Sequence, residues 1–169
     1  MDASRESERT PMKNRTTVER KSGRELVVTR TFDAPARIVF EAWTKPELFK
    51  QWWAPKSMGM SLLSCEMDVR AGGGYRLVFG QGMEFFGKYI EVTPHSRLVW
   101  TNDEGGDGGP VTTLTFEEKG GKTLLVLHEL YPSKEALDAA GTGAADAMGE
   151  TFGQLDELLV SLGASGGRA

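Results

Sequence analysis

Six strand-like segments follow one another with only short connections, and one long amphipathic segment closes the series. That order constrains the fold more than any other feature of the chain. Strands joined by a few residues pair antiparallel, because a parallel pair needs a crossover of a dozen residues or more. A sheet with one apolar face must cover it, and only the last segment is large enough to do so. The sheet is therefore expected to curl around that helix.

The segments are legible by period. Glu25–Phe32 comes first, with Leu26, Val28 and Phe32 on one parity. Ser64–Arg70 places Cys65, Met67 and Val69 on one face and Ser64, Glu66, Asp68 and Arg70 on the other. Gly72-Gly73-Gly74 turns the chain into Tyr75–Phe79, and Phe85–Val92 and Leu98–Thr101 follow around the turn Thr93-Pro94-His95-Ser96. Val111–Glu118 and Thr123–Leu130 flank Lys119-Gly120-Gly121-Lys122, the signature of a tight hairpin. Two short helices interrupt the pattern after the first strand. One opens at Asp33-Ala34-Pro35 and carries Ile38, Val39, Ala42 and Trp43 on one stripe. The other runs from Pro46 to Trp53, with Thr44 and Glu47 at capping-box spacing. Ser133–Ala140 adds a helical turn or two. The long helix spans about Gly143–Leu162, with Met148, Phe152, Leu155, Leu159 and Leu162 as its apolar face.

The expected architecture is thus α+β, a helix-grip fold in which a curved antiparallel sheet of six to seven strands holds a long C-terminal helix. The domain spans residues 24–162. Residues 1–23 read as a disordered charged tail, since the first seventeen contain almost nothing apolar, and 163–169 as a flexible C-terminus. Charge is uneven: residues 1–24 hold seven basic and four acidic residues, whereas the whole chain has a formal charge of −4. The acidic balance argues against a general nucleic-acid binder. No run of eighteen apolar residues occurs, which argues against membrane insertion by a helix. A single cysteine, Cys65, excludes an internal disulfide and fits a reducing, cytoplasmic setting.

Several motifs carry a family likeness. Arg30-Thr31-Phe32-Asp33-Ala34-Pro35 leads into Val39-Phe40-x-Ala42-Trp43-Thr44-x-Pro46-Glu47 and Trp52-Trp53-x-Pro55. Asp68-x-Arg70-x-Gly72-Gly73, Gly87-x-Tyr89-x-Glu91-Val92, Arg97-Leu98-Val99 and Gly121-x-Thr123 follow. Together they resemble the bacterial proteins related to the activator of the 90-kDa heat-shock protein ATPase, within the START-like (birch-pollen-allergen-like, SRPBCC) superfamily. The resemblance implies a helix-grip fold with an apolar cavity between sheet and long helix. The superfamily hosts lipid carriers, hormone receptors, cyclases and co-chaperone domains, so fold alone does not select a function.

The inward strand parity includes Leu63, Cys65, Met67, Tyr75, Leu77, Phe79, Leu114, Phe116, Leu125 and Leu127, with Trp100 as core or wall. Met148, Phe152 and Leu155 face them from the helix. These residues line a ligand cavity or pack as a solid core; periodicity gives the face and does not measure empty volume. Arg30 and Glu129 share the inward parity, so each is expected to find a partner or to sit at a cavity mouth, where one could meet the polar head of a ligand. Trp43, Trp52 and Trp53 read as packing anchors or as a gate over the cavity.

Catalytic signals are thin. His95 falls in a turn and His128 on an outward parity, with no second ligand at metal spacing, so no metal and no cofactor are expected. Cys65 lacks an adjacent base and reads as a buried, inert thiol. Glu66, Asp68 and Arg70 read as a solvated face with an ion pair. The leading expectation is non-catalytic binding of a small hydrophobic or amphipathic molecule. A protein-interaction domain of co-chaperone type, binding a chaperone or another protein partner, is the alternative. A cyclase or hydrolase using Tyr75, Tyr89 or Glu129 stands third.

Overall fold

The computed structural model describes residues 16–54, 62–80, 84–103, 109–140 and 143–162, with side chains left undescribed at 140 and 143–147. The strands are β1 (Thr17–Arg20), β2 (Glu25–Phe32), β3 (Leu62–Met67), β4 (Gly74–Phe79), β5 (Glu84–Thr93), β6 (Arg97–Thr101), β7 (Val111–Lys119) and β8 (Lys122–Leu130). The helices are α1 (Ala36–Thr44), α2 (Pro46–Trp52), α3 (Lys134–Ala140) and α4 (Gly143–Ser161). The strands form one sheet of eight in the order β1-β2-β8-β7-β6-β5-β4-β3. Every neighbouring pair is antiparallel. This is the α+β helix-grip architecture expected from the element order.

Sequence and structure differ at several places, each for a local reason. The sheet has eight strands and not six to seven, because Thr17–Arg20, which the sequence assigns to the tail, pairs with β2 from Thr17↔Thr29 to Arg20↔Leu26. Its only apolar side chain against the core is Val18, so main-chain pairing and Arg20, bonded to Asp138 at 2.5 Å, hold it there. Such a strand has no hydrophobic period to be read. Second, the β3–β4 register shifts between Leu62 and Ser64. Leu62 packs inward and Leu63, expected inside, is 69% exposed, since a bulged residue drops out of the alternation. Third, Thr44 does not cap α2. Its hydroxyl bonds back to the Phe40 carbonyl at 2.9 Å, and Lys45 holds the cap position with Pro46 following at the first helical turn.

The β7–β8 hairpin anchors the entry of α1. Gly120 and Gly121 both have positive φ (60° and 81°), as a two-residue primed turn requires. Near its tip Thr123 donates to the Ala34 carbonyl at 2.7 Å, and the Glu118 carboxylate accepts from the Ala36 N–H at 2.9 Å. A carboxylate on an otherwise uncapped helix start answers both the free N–H groups and the helix dipole. The expected strand Ser64–Arg70 stops at Met67, so Asp68 and Arg70 sit in the following turn, where the Arg70 Nε lies 3.0 Å from both Asp68 carboxylate oxygens.

The inner face of the sheet is filled unevenly. Phe32, Leu114, Phe116 and Leu125 meet Phe152, Leu155 and Leu159 of α4 in a solid core. Phe152 stands edge-on to Phe32 at 5.5 Å, and Phe40 of α1 edge-on to Phe116 at 5.4 Å. On the other half, β4 and β5 approach β6 so closely that a Cβ at Gly87 would lie 2.0 Å from the Thr101 carbonyl oxygen. Gly87→Ala is expected to lower unfolding free energy by about 1–3 kcal/mol through forced backbone movement. Gly153→Ala, in α4 with open space around the missing Cβ, is expected to raise it by about 0.5–1 kcal/mol. Urea unfolding of the two variants checks both signs.

Candidate functional site

Beside the filled half of the sheet lies a pocket of about 300 Å³. Its floor is the inner face of four strands: Met67 on β3, Tyr75 and Leu77 on β4, Phe85 and Tyr89 on β5, and Leu98 and Trp100 on β6. Leu127 and Glu129 of β8 form one wall, with Tyr131 just beyond it. Trp43, Phe49 and Trp53 of the α1–α2 corner cover it from above, Met148 of α4 closes a side, and Asn102 and Pro110 contribute from the β6–β7 connection.

The roof is a cluster of rings. Trp43 lies 4.8 Å from Trp52 and 5.7 Å from Trp53, and Phe49 stacks on Trp53 at 4.9 Å. Trp52 is the anchor: fully buried, it donates its indole N–H to the Ala42 carbonyl at 3.0 Å. Gln154 of α4, also buried, donates its amide to the carbonyls of Trp52 (2.8 Å) and Ala54 (2.9 Å). Those carbonyls lie where a helix runs out of backbone partners, so one side chain completes the end of α2 and fixes the corner to α4. The sequence reading of the tryptophans as anchor or gate resolves by residue, with Trp52 in the core and Trp43 and Trp53 at the pocket.

Of the residues singled out from sequence, Met67, Tyr75, Leu77, Trp100, Leu127, Glu129 and Met148 meet at this pocket. Phe79, Leu114, Phe116, Leu125, Phe152 and Leu155 do not line it; they pack in the solid core. Parity placed all of them on the right face, but the depth at which α1 and α4 press on the sheet decides which half is filled. Phe85 and Leu98 could have been found by extending the same parity along β5 and β6. Asn102, Pro110 and Tyr131 lie outside any strand period and left no signal.

Polar groups at the pocket are few and mostly engaged. The Tyr75 hydroxyl donates to the Thr101 carbonyl at 2.7 Å. The Asn102 amide donates to the Pro110 carbonyl and to the Thr112 hydroxyl, each at 3.0 Å. Tyr131 donates to Glu129 at 3.0 Å. Burial pushes the Tyr89 phenol well above the usual range, with Cys65 adding to it. Tyr131 is raised by burial first and by Glu129 second. Both remain neutral hydroxyls at physiological pH. Tyr75, Tyr89 and Glu129, the acid–base candidates, do share the pocket, where Tyr89 is held as a neutral hydroxyl.

Arg30 lies apart from the pocket. It is 8% exposed, meets Asp156 of α4 at 2.5 Å and the Thr16 hydroxyl at 2.7 Å, and sits over the Phe32 ring. The expected partner is therefore a carboxylate of the long helix. Burial raises the Asp156 carboxyl in spite of the arginine, because loss of hydration outweighs the attraction. His128 pairs with Glu25 at 2.9 Å, a hydrogen bond that lowers the Glu25 carboxyl. His95 has φ 69° and lays its ring edge-on against Phe40. Among the described residues no three His, Cys, Asp or Glu side chains gather as metal ligands, and no helix is long and apolar enough to cross a membrane.

A family model described as activator of Hsp90 ATPase homolog 1-like protein matches residues 33–160. No curated protein matches the sequence. Solved structures do. A crystal structure of a protein from Rhodobacter sphaeroides is 26% identical with a TM-score of 0.78, covering 87% of this chain and 99% of its own. A solution structure of a Staphylococcus epidermidis protein is 29% identical with a TM-score of 0.71, over 86% and 94% of the two chains. A Chromobacterium violaceum protein is 26% identical with a TM-score of 0.67, over 81% and 97%.

Two outcomes test the site as described. Gln154→Leu is expected to cost about 1–3 kcal/mol in urea unfolding, by leaving two carbonyls without a donor. Burial pushes the Cys65 thiol up to about 11, so its alkylation by iodoacetamide is expected to keep accelerating beyond pH 9, as the thiolate forms only near that value. A rate already half-maximal near pH 8.5, as for an exposed cysteine, would contradict the half-buried placement.

Proposed function

The chain belongs to the activator of Hsp90 ATPase homolog 1-like family, and from that premise we propose that it binds a small hydrophobic or amphipathic molecule, without catalysis, in the pocket between the sheet and the helices. The observation that carries this reading is the pocket itself: about 300 Å³ bounded by aromatic and methionine side chains, next to a core that is otherwise solid. Ligand sites begin at about this size and are characteristically apolar walls with a few placed polar groups. Interiors normally close such voids, so a space of this size beside well-filled packing is a feature a ligand would explain. Met67 and Met148 give two adjustable points on a frame otherwise made of rings. Tyr75, Asn102 and Tyr131 hold their polar ends through bonds within the protein, which supports orientation of a guest over proton transfer.

Protein interaction is the second reading. Phe86 and Ile90 are 38% and 51% exposed on β5, and Leu63 is exposed on β3, with β4 between them. Partner binding through that face, to a chaperone or another protein, would survive a filled pocket.

The neutral fluorophore N-phenyl-1-naphthylamine separates the two. Wild type is expected to bind it saturably at one site, and Met67→Trp to weaken binding at least about tenfold, an effect of roughly 1.4 kcal/mol. The urea transition of the variant should stay cooperative. Absence of saturable binding by wild type, or equal binding by Met67→Trp, would contradict the proposal.

A further inference from the structure

Resting on the ligand-binding reading, we infer that the pocket selects an uncharged ring compound bearing a hydroxyl or carbonyl group, held by the Tyr89 hydroxyl, and discriminates against anions.

Three features of the pocket lead there. The first is an unused hydrogen-bonding group. Tyr89 lines the pocket and is only 4% exposed, yet its hydroxyl bonds to no described residue. Among the described residues the unpartnered side-chain atoms sealed off from solvent are Arg30 Nε and Trp43 Nε1. The Tyr89 hydroxyl is not one of them, and its residue is part of the pocket lining. A buried hydroxyl without a partner is costly, and a guest oxygen that donates to it or accepts from it removes that cost. Being a neutral phenol, Tyr89 offers both a donor and an acceptor.

The second feature is charge. Among the described lining residues Glu129 carries the one carboxyl group, and there is no lysine, arginine or histidine. A carboxylate or phosphate carried into the pocket would give up its hydration and meet the Glu129 carboxyl group on the wall. A neutral polar group carries neither cost. The third is shape. Trp43, Trp53, Phe85 and Trp100 present ring faces and edges around a space equal to roughly ten waters at about 30 Å³ each. Rings pack against rings with little conformational entropy to lose, which favours a flat guest over a flexible acyl chain.

The test uses three probes on one skeleton: naphthalene, 2-naphthol and 2-naphthoate, measured by equilibrium dialysis at pH 7 against wild type, Tyr89→Phe and Glu129→Gln. Wild type is expected to bind 2-naphthol at least about tenfold more tightly than 2-naphthoate. Tyr89→Phe is expected to weaken 2-naphthol about three- to tenfold and leave naphthalene unchanged. Glu129→Gln should narrow the gap between naphthol and naphthoate. Equal binding of naphthol and naphthoate by wild type, or an equal effect of Tyr89→Phe on naphthol and naphthalene, would overturn the selectivity while the pocket still binds. If none of the three binds saturably, the ligand-binding reading fails as well.

Discussion

Gln154 holds the two halves of the molecule in register. Its amide reaches from the middle of α4 to the last carbonyls of α2, while the Trp52 indole N–H binds the Ala42 carbonyl of α1. The bonds to Trp52 and Ala42 are buried, where loss of a partner costs more than the bond gains in water. They set how far the aromatic corner stands from the sheet. The corner that covers the pocket is thus fastened by polar contacts as well as by ring packing.

The filled half of the sheet makes this possible. Phe32, Phe116, Leu125 and Phe152 bury their surface where α1 and α4 cross β2, β7 and β8, and the hairpin tip is fastened to the start of α1 through Thr123 and Glu118. Hydrophobic burial there stabilises the fold. Arg30 and Asp156 add a guarded contact between β2 and α4, with burial opposing ionisation of the carboxylate. Stability and vacancy are thus assigned to different ends of one concave surface.

Much of this arrangement was legible in the sequence. Alternation located the strands, a stripe of Phe152, Leu155 and Leu159 located the long helix, and Gly120-Gly121 located its hairpin. Parity failed at Leu63, because a bulge is a local choice between two nearly equal ladders and leaves no trace in composition. It missed β1, which is held by main-chain pairing and by Arg20. For the site, parity named the correct face at Leu114 and Leu125 as well as at Leu127, yet only Leu127 borders the pocket. Depth along a strand depends on where a distant helix crosses it, and that is settled by packing across more than a hundred residues of sequence. The roof rings were legible as aromatics; that Trp52 would be sealed while Trp43 and Trp53 face the pocket was not.

The four tryptophans allow the central claim to be read directly. Trp43, Trp53 and Trp100 border the pocket, whereas the Trp52 indole N–H is bonded in the core. The decisive measurement is the set of four indole N–H resonances in a two-dimensional proton–nitrogen spectrum as 2-naphthol is added. The account predicts saturable shifts at Trp43, Trp53 and Trp100, with Trp52 moving least. Four stationary signals, or a Trp52 signal that moves as far as the others, would contradict it.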